Sequence, residues 1–472
     1  IESMIMHAMK VLLVNPKFPD TYWSFRHALP FEGKRSVFPP LGLLTVSGLL
    51  PESCERRLVD LEIETLKTSQ IDWADMVFIT GMLAQKNSLH EVVERCRQRG
   101  KKIVLGGPYV TSTIEELPYA DHIFQGEAET TLPQFFQDLE RGTAKRVYKA
   151  PERPPMSMAP IADFGLANMK KYSNMSIQYS RGCPFSCEFC DIIEIYGRIP
   201  RTKSNQQVIA EFNELKRLGW RGPLFIVDDN FIGNKKNVRL LLPDLIEWQK
   251  KNGYPFSLLT EASVNLADDD DLLAMMKEAG FRRVFLGIET PVEESLKEAQ
   301  KSQNRGNLLN SVRKIQSHGM EVMAGFIVGF DNDPDDIFER QIEFIRESAI
   351  PLAMVGMLNA LPDTQLWKRL EKEGRLLGAD ATGNNTIATV NFIPKMDADT
   401  LIAGYQRIMR TIYKPSEYYR RALDSLQRVP QDVPEAHQYH GFKAVKAFLR
   451  IAFKLGVLDA ERREFWWFFW EA

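Results

Sequence analysis

Arg181-Gly182-Cys183-Pro184-Phe185-Ser186-Cys187-Glu188-Phe189-Cys190 gathers three of the chain's five cysteines into eight residues, spaced C-x3-C-x2-C. Thiolates are soft ligands that suit zinc and the irons of iron–sulfur clusters. Three of them so close together leave one corner of a cubic [4Fe–4S] cluster without a protein ligand. An iron left open in that way can bind a small molecule through an amine and a carboxylate. A structural zinc site needs four ligands in a closed tetrahedron. No fourth cysteine lies nearby, and His122 and His318 are far along the chain. A disulfide does not suit three clustered thiols without a secretory signal. The spacing and the Arg-Gly-Cys-Pro lead-in therefore favour a cluster over zinc, and over inert buried thiols.

Outward from this stretch the chain alternates strands and helices. Ser176-Ile177-Gln178-Tyr179-Ser180 reads as a strand that delivers the cysteines at its carboxyl end. Further strands are expected at Pro223 to Asp228, Ser257 to Ala262, Arg283 to Ile288, Glu321 to Val328 and Ala353 to Leu358. Between them, Val208, Ile209, Phe212 and Leu215 share one helical face before Gly219. Leu308, Leu309, Val312 and Ile315 share another before Gly319, and helices commonly stop on a glycine. Polar residues gather at the strand ends: Asp228-Asp229-Asn230-Phe231, then Glu261, then Gly287-Ile288-Glu289-Thr290, then Gly325 to Phe330.

C-x3-C-x2-C at the end of a strand resembles the signature of the radical S-adenosylmethionine (SAM) enzymes. The resemblance implies a partial (β/α)6 barrel whose active site gathers at the carboxyl ends of the strands. It implies that Cys183, Cys187 and Cys190 hold a [4Fe–4S] cluster whose open iron binds SAM. One electron, from a flavodoxin- or ferredoxin-type donor, would then split SAM into methionine and a 5′-deoxyadenosyl radical. SAM needs acceptors for its ammonium and ribose hydroxyls, backbone for its adenine edge and a donor for its carboxylate. By the same resemblance Asp228, Glu261 and Glu289 are candidate acceptors, and the backbone near Phe189 and from Gly325 to Val328 would flank adenine. Phe189 would shield the cluster from water. Tyr196, Arg198 and Arg201 are open to two readings, a substrate-facing loop or a solvated basic one.

The first 150 residues show the same alternation. Lys10-Val11-Leu12-Leu13-Val14-Asn15-Pro16 is a short apolar run closed by a turn, as in a buried parallel strand. Similar runs recur at Arg57 to Asp60, Met76 to Thr80, Lys102 to Leu105 and His122 to Phe124, with an amphipathic helix at Leu89 to Cys96 stopped by Gly100. This pattern predicts a doubly wound, Rossmann-like α/β sheet, which binds ligands beyond the carboxyl ends of its strands. Those ends carry Asn15-Pro16, Thr80-Gly81, Gly106-Gly107-Pro108-Tyr109-Val110-Thr111 and Gly126-Glu127-Ala128-Glu129. Cys96 reads as core packing, and Cys54 has no assigned role.

The order Phe38-Pro39-Pro40-Leu41-Gly42-Leu43-Leu44, Gly-Gly-Pro loop, Gly-Glu-x-Glu, C-x3-C-x2-C resembles the cobalamin-binding radical SAM enzymes. Cobalamin contacts are then implied at Pro40, Leu41, Gly42, Gly81, Gly106, Gly107, Thr111, Gly126 and Glu127. The Asp-x-His-x-x-Gly motif of methionine synthase-type domains is absent. Its place holds Lys17-Phe18-Pro19-Asp20-Thr21-Tyr22-Trp23, and His27 beyond it reads as a loop histidine. Cobalamin would be bound without a histidine ligand; the other reading is a vestigial domain of the same fold.

The expected division is 9–150 for the cobalamin-type domain, 151–164 for a proline-rich linker, 165–355 for the barrel and 356–472 for a mostly helical extension. Leu358 to Trp367 and Thr389 to Lys395 resemble the extension of a subgroup that includes hopanoid and bacteriochlorophyll side-chain methylases. There Asn391 and Phe392 would face the cavity. The tail holds a basic amphipathic stretch, Phe442 to Phe453, then Glu464-Phe465-Trp466-Trp467-Phe468-Phe469-Trp470. It reads either as a helix packed on the barrel with an aromatic seam or as a peripheral membrane contact.

Of the 472 residues, 44% are hydrophobic, enough for real cores, and length suggests about three domains. With 60 basic and 62 acidic residues the net charge is −2, so no global basic field points to nucleic acid. No run of about 18 apolar residues occurs to span a membrane. Free thiols beside an oxygen-sensitive cluster point to a reducing cytoplasm. Ile1 to His7 reads as an expression remnant rather than a signal peptide, with a native start expected at Met4, Met6 or Met9. The aromatic run at the other end leads to the expectation that the native chain continues past Ala472.

The function this implies is methylation of an unactivated carbon: hydrogen removal by the radical, methyl transfer from methylcobalamin, and cobalt remethylation by a second SAM. A hydrophobic lipid, isoprenoid or tetrapyrrole would suit the tail. A radical cyclase, oxidase or carbon–carbon coupling enzyme keeps the cluster without methyl transfer. A zinc-stabilised binding protein is the non-enzymatic reading.

Overall fold

The computed structural model describes residues 8–21, 24–113, 117, 119–378, 384, 386–430 and 442–472. Ile1 to His7, with the candidate starts Met4 and Met6, lie outside the described residues, as do Tyr22 and Trp23. The chain divides into two compact units. One comprises residues 1–29, 33–177 and 201–220; the other comprises 30–32, 178–200 and 221–472.

The first unit holds β1 (Lys10–Asn15), β2 (Glu55–Asp60), β3 (Met76–Thr80), β4 (Lys102–Gly106), β5 (His122–Gln125) and β6 (Val147–Lys149). They form one parallel sheet in the order β2-β1-β3-β4-β5-β6. Successive side chains on a strand point to opposite faces, and here both faces are covered. Leu12 and Val14 of β1 join Val77, Ile79, Ile103, Leu105 and Ile123 in one core cluster. Val11 and Leu13 join Met76, Phe78, Val104 and Phe124 in the other. This double burial is why these strands read as continuous apolar runs. Cys96 lies in the first cluster with Leu89, Val92 and Val93 of the helix Lys86–Gln98. Cys54, left without a role by the sequence, packs into the second. The order reverses between β1 and β3, and sheets of this kind bind ligands beyond such a switch point.

Residues 151–164 are ordered around a short turn, Met156–Met158. The Gln207 amide donates to the carbonyls of Met156 (3.0 Å) and Ala159 (3.1 Å).

Next come β7 (Met175–Ile177), β8 (Ser180–Arg181) and β9 (Arg201–Thr202). They are followed by β10 (Gly222–Ile226), β11 (Phe256–Ala262), β12 (Phe281–Glu289), β13 (Glu321–Val328) and β14 (Ala353–Met357). Strands β10 to β14 build a second sheet. Within the second unit its strands run β14-β13-β12-β11-β10, every neighbouring pair parallel. Helices alternate with the strands, as a β/α barrel wall requires. Burial alternates along β11: Leu258, Thr260 and Ala262 are covered, while Ser257, Leu259 and Glu261 face the more open side. The register sets Glu261 opposite Phe285, Phe285 opposite Met323, and Gly287 beside Gly325.

Beyond the barrel the described chain is helical: Gln365–Lys372, Ala398–Ile412, Pro415–Arg428, Phe442–Phe453 and Arg462–Glu471. The last packs partly inward. Phe465 is buried, Phe468 stacks on Tyr419 at 5.2 Å, and the Trp466 indole donates to Gly456 O. Its other face and the preceding helix leave Leu449, Phe453, Leu458 and Trp470 exposed. Among the described residues no helix is long and apolar enough to cross a membrane.

Candidate functional site

The cysteine loop starts at a position that only glycine fits. Gly182 has φ +97°, and a Cβ there would lie 2.7 Å from Gly197 O and 3.1 Å from Ile199 O. Cys183 N–H donates to Gly197 O at 3.2 Å, closing the loop on itself. Gly233 lets Pro184 and Pro200 approach, since a Cβ would stand 3.2 Å from each. Burial pushes the Cys183 and Cys190 thiols above the ordinary thiol range. Two side-chain amides point at sulfur: Gln303 Nε2 lies 3.4 Å from Cys187 Sγ, and Asn230 Nδ2 lies 4.0 Å from Cys183 Sγ. Phe189 packs against Phe330, ring centroids 6.2 Å apart, beside Leu366, Leu370 and Phe392.

The strand-end acids divide by what they touch. Asp228 is wholly buried; its oxygens accept from Tyr179 N–H (2.7 Å) and from the Ser180 hydroxyl (2.6 Å). It therefore fixes the segment that delivers the cysteines, instead of reaching a ligand as the sequence reading had it. Its neighbour Asp229 accepts from Gly182 N–H, and its Oδ2 is buried without a hydrogen-bond partner. Burial pushes the Asp229 carboxyl up to about 6. Burial, reinforced by Asp229 and Asp228, pushes Glu261 up to about 8. Glu289 sits at φ +64°, where β12 slips register against β13, a conformation rare for a residue with a side chain.

Glu289 pairs with Lys301, which the sequence reading missed. The Lys301 ammonium donates to Glu289 Oε1, and both side chains are about nine-tenths buried. Burial alone would lower the Lys301 pKa, but the charge of Glu289, foremost among the raising causes, and its hydrogen bond more than offset it. A few residues on, Asn304 Nδ2 donates to the carbonyls of Gly287 and Ile288, 2.8 Å each. The bare edge formed by Gly287 and Gly325 lies against this pair; a Cβ on Gly287 would meet the ends of both charged side chains at 2.5 Å. Val328 is buried and its carbonyl accepts from Leu358 N–H.

These donors fit the groups the sequence implied. The Cys183 and Cys190 thiols, raised by burial, would stay neutral and inert alone; ligation by iron is what lets such groups ionise. Among the described residues no three His, Cys, Asp or Glu groups meet closely enough to grip a single metal ion. A four-iron cube instead spreads its ligating sulfurs over separate corners. The orphaned Asp229 oxygen, the half-buried Glu261 and the bare glycine edge suit a ligand with an ammonium, hydroxyls and a flat ring.

In the first unit the loops after β3, β4 and β5 are also bare. Gly107 has φ +100° and Gly126 has φ +81°, with open space where a Cβ on Gly126 would lie. The Thr111 hydroxyl donates to Gly107 O (2.9 Å) and accepts from Gly126 N–H (3.0 Å), tying two loops together. Pro40, Leu41 and Gly42 start the helix Leu41–Leu49, Gly42 exposed, and Gly81 ends β3's loop against Leu89. Such a glycine-lined edge lets a large flat ligand approach backbone. Glu127, instead of pointing free, forms a forked pair with Arg201 at 2.5 and 3.1 Å. His27 is exposed.

Asn391 and Phe392 face inward in this structure instead of into a cavity. The Asn391 amide closes both hydrogen bonds with the Ala360 peptide, and Phe392 is buried among Phe330, Leu366 and Leu370. Tyr196 caps the short helix Ile192–Ile195 and is part-exposed.

A barrel with a three-cysteine loop at its strand ends, preceded by a doubly wound domain with glycine-lined strand ends, defines a two-cofactor radical enzyme. The Radical SAM superfamily profile matches residues 177–345, the B12 binding domain profile residues 35–136, and a domain of unknown function (DUF4070) residues 364–472. An uncharacterized methyltransferase of Synechocystis sp. is 42% identical over 97% of this chain and 86% of its own length. The hopanoid C-2 methylase of Rhodopseudomonas palustris is 35% identical over 97% of this chain and 88% of its own. The solved structure of OxsB, a cobalamin-dependent SAM radical enzyme with aqua-cobalamin and SAM bound, shares the fold: TM-score 0.64, 17% identity, 96% of this chain and 74% of that one. The chain belongs to the cobalamin-binding radical SAM enzymes, in the methylase subgroup with the C-terminal extension. With the family come its cofactors, a [4Fe–4S] cluster, SAM and cobalamin, and its activity, carbon methylation.

Proposed function

We propose that Cys183, Cys187 and Cys190 hold the cluster and that the enzyme methylates an unactivated carbon of a hydrophobic small molecule of the lipid, isoprenoid or tetrapyrrole class. The observation that carries this is the three-thiol loop set among strand-end carboxylates, in a chain similar over 97% of its length to a hopanoid C-2 methylase. When bound, the cluster and SAM supply a hydrogen-abstracting radical, and cobalamin supplies a methyl group that a non-nucleophilic carbon can accept. The chain's own residues hold and orient. Asp229 and Glu261 accept from the ammonium and ribose hydroxyls of SAM, and Lys301 donates to its carboxylate beside Glu289. Phe189 and Phe330 exclude water from the sulfurs. Gly42, Gly81, Gly106, Gly107 and Gly126 keep side chains off the corrin face, with Pro40, Leu41, Thr111 and Glu127 bordering it.

The redox partner is a flavodoxin- or ferredoxin-type donor, and a reducing cytoplasm protects the cluster. The exposed apolar face of the tail, with Leu449 and Phe453 beside Lys446 and Lys454, rests on an anionic membrane from which the substrate is drawn. The test is anaerobic incubation of iron-loaded, cobalamin-loaded protein with SAM, reductant and a membrane lipid extract. S-adenosylhomocysteine together with 5′-deoxyadenosine is expected. 5′-Deoxyadenosine alone would replace methylation by a cyclase, oxidase or coupling reaction. Full iron content in Cys187→Ala would overturn the cysteine assignment.

A further inference from the structure

We infer that the start of the C-terminal extension is part of the cluster-binding apparatus: the helix Gln365–Lys372 braces the cysteine loop through Arg369 and Glu188. This rests on the cysteine assignment above. Glu188 stands between Cys187 and Cys190 and is buried. Each of its polar groups is held from outside the loop. Its N–H donates to Ala299 O (3.0 Å), and its carbonyl accepts from Leu366 N–H (2.9 Å). Its carboxylate takes a forked pair from Arg369, Nε to Oε1 at 2.6 Å and Nη2 to Oε2 at 3.2 Å. Planar two-bond pairing of this kind fixes orientation as well as charge.

Arg369 is itself anchored. Its Nη1 donates to Asp331 Oδ2 (2.9 Å), and Nη2 approaches Glu298 Oε1 (3.4 Å). The helix is capped by Thr364, whose hydroxyl accepts from Trp367 N–H, and Gln365 accepts from the Gln300 amide (2.9 Å). Leu366 and Leu370 of the same helix pack in the cluster that Phe189 joins. The extension thus grips two consecutive loop residues, Glu188 by charge and Phe189 by packing. Three sulfurs on one loop can bind a rigid cube only if the loop holds its spacing. An unpaired buried carboxylate beside thiolates would also oppose the negative charge that ligation builds. Arg369 answers both needs and acts as a positioning residue, with no contact to the sulfurs themselves.

The experiment measures iron and sulfide in reconstituted full-length protein and the rate at which a chelator strips the iron, with the electron paramagnetic resonance signal of the reduced cluster recorded in parallel. Arg369→Met and Glu188→Gln are each expected to lose iron on the order of 10- to 100-fold faster than the parent protein, as when groups supporting a metal ligand are removed. Arg369→Lys, which keeps the charge but not the fork, should fall between. Arg375→Met is the control. Arg375 shares Asp331 with Arg369, at 2.7 Å, but has no bond to Glu188. It should lose iron near the parent rate, because both Arg369–Glu188 bonds remain in that variant. Parent-like retention in Arg369→Met and Glu188→Gln overturns the brace, and so does equally fast loss in Arg375→Met, which would mean general loosening. If Arg369→Met does not fold, Glu188→Gln decides alone. Failure of the underlying cysteine assignment looks different: the parent protein would bind no iron, or Cys187→Ala would keep it.

Discussion

Replacing Lys301 by Met should strand a buried carboxylate, and the penalty can be worked from the structure. Lys301 and Glu289 are 10% and 9% exposed at their side chains, and the lysine ammonium donates to Glu289 Oε1. Removing one partner of a buried pair costs about 3–5 kcal/mol, because the other charge is left without compensation. A second route caps the loss, since the carboxylate can take up a proton. For a glutamate of ordinary acidity that costs about 4 kcal/mol at pH 7 and about 1 kcal/mol at pH 5. Lys301→Met should therefore lose close to 4 kcal/mol at pH 7 and far less at pH 5. Lys301→Met combined with Glu289→Gln should return to within about 1–2 kcal/mol of the parent, because no buried charge remains. Anaerobic urea denaturation of the iron-free proteins at both pH values measures this. A deficit under about 1 kcal/mol at pH 7, or an equal deficit at the two pH values, would refute the argument that a buried charge is what the lysine holds in place.

Gly182→Ala should abolish cluster assembly while leaving circular dichroism unchanged, because φ +97° and the carbonyl of Gly197 at 2.7 Å exclude a Cβ; iron and sulfide analysis checks it. Gly107→Ala should remove bound corrinoid absorbance with iron content kept, since φ +100° and the Thr80 hydroxyl leave no room for a methyl group. Asp333→Asn should flatten part of the stability–pH profile. Burial pushes the Asp333 carboxyl up to about 6 against hydrogen bonds from Ser295, Gly329 and Phe330. A carboxyl raised in the fold contributes stability below its unfolded pKa and loses it as pH rises through the folded value. The parent should thus lose up to about 3 kcal/mol relative to Asp333→Asn between pH 4 and 7, read from denaturation midpoints.

What could be read from sequence followed from how burial writes itself into composition. β1 and β3 are covered on both faces, so Val11 to Val14 and Met76 to Ile79 are apolar without a break and the run announces itself. β6 has only Tyr148 buried, between an exposed Val147 and an exposed Lys149, and nothing in Val-Tyr-Lys marks it as a strand. The helices before Gly219 and Gly319 were legible because both glycines take positive φ just past the last turn. The cysteine loop was legible because three thiols within eight residues is a local spacing that core packing does not require.

The residues around that loop were not legible, and the reason is also physical. Asp228 and Asp229 are adjacent and chemically identical, yet one is consumed by Tyr179 and Ser180 while the other keeps a free oxygen. The side a strand-end residue faces depends on where the strand stops, and here β10 stops at Ile226, before either acid. Lys301, Gln303 and Asn304 lie in a polar stretch with no periodicity, brought under the cysteines only by the turn after Glu289. Arg369 is one charged residue in a charged helix, and its partner is 181 residues away. A ligand set can be encoded locally, because neighbouring residues must converge on one object. Its support is recruited from whatever strand end or helix the fold brings near, so it has no local spacing to read. For the same reason, substitutions at Arg369 or Gln303 are expected to alter cluster retention while leaving C-x3-C-x2-C untouched.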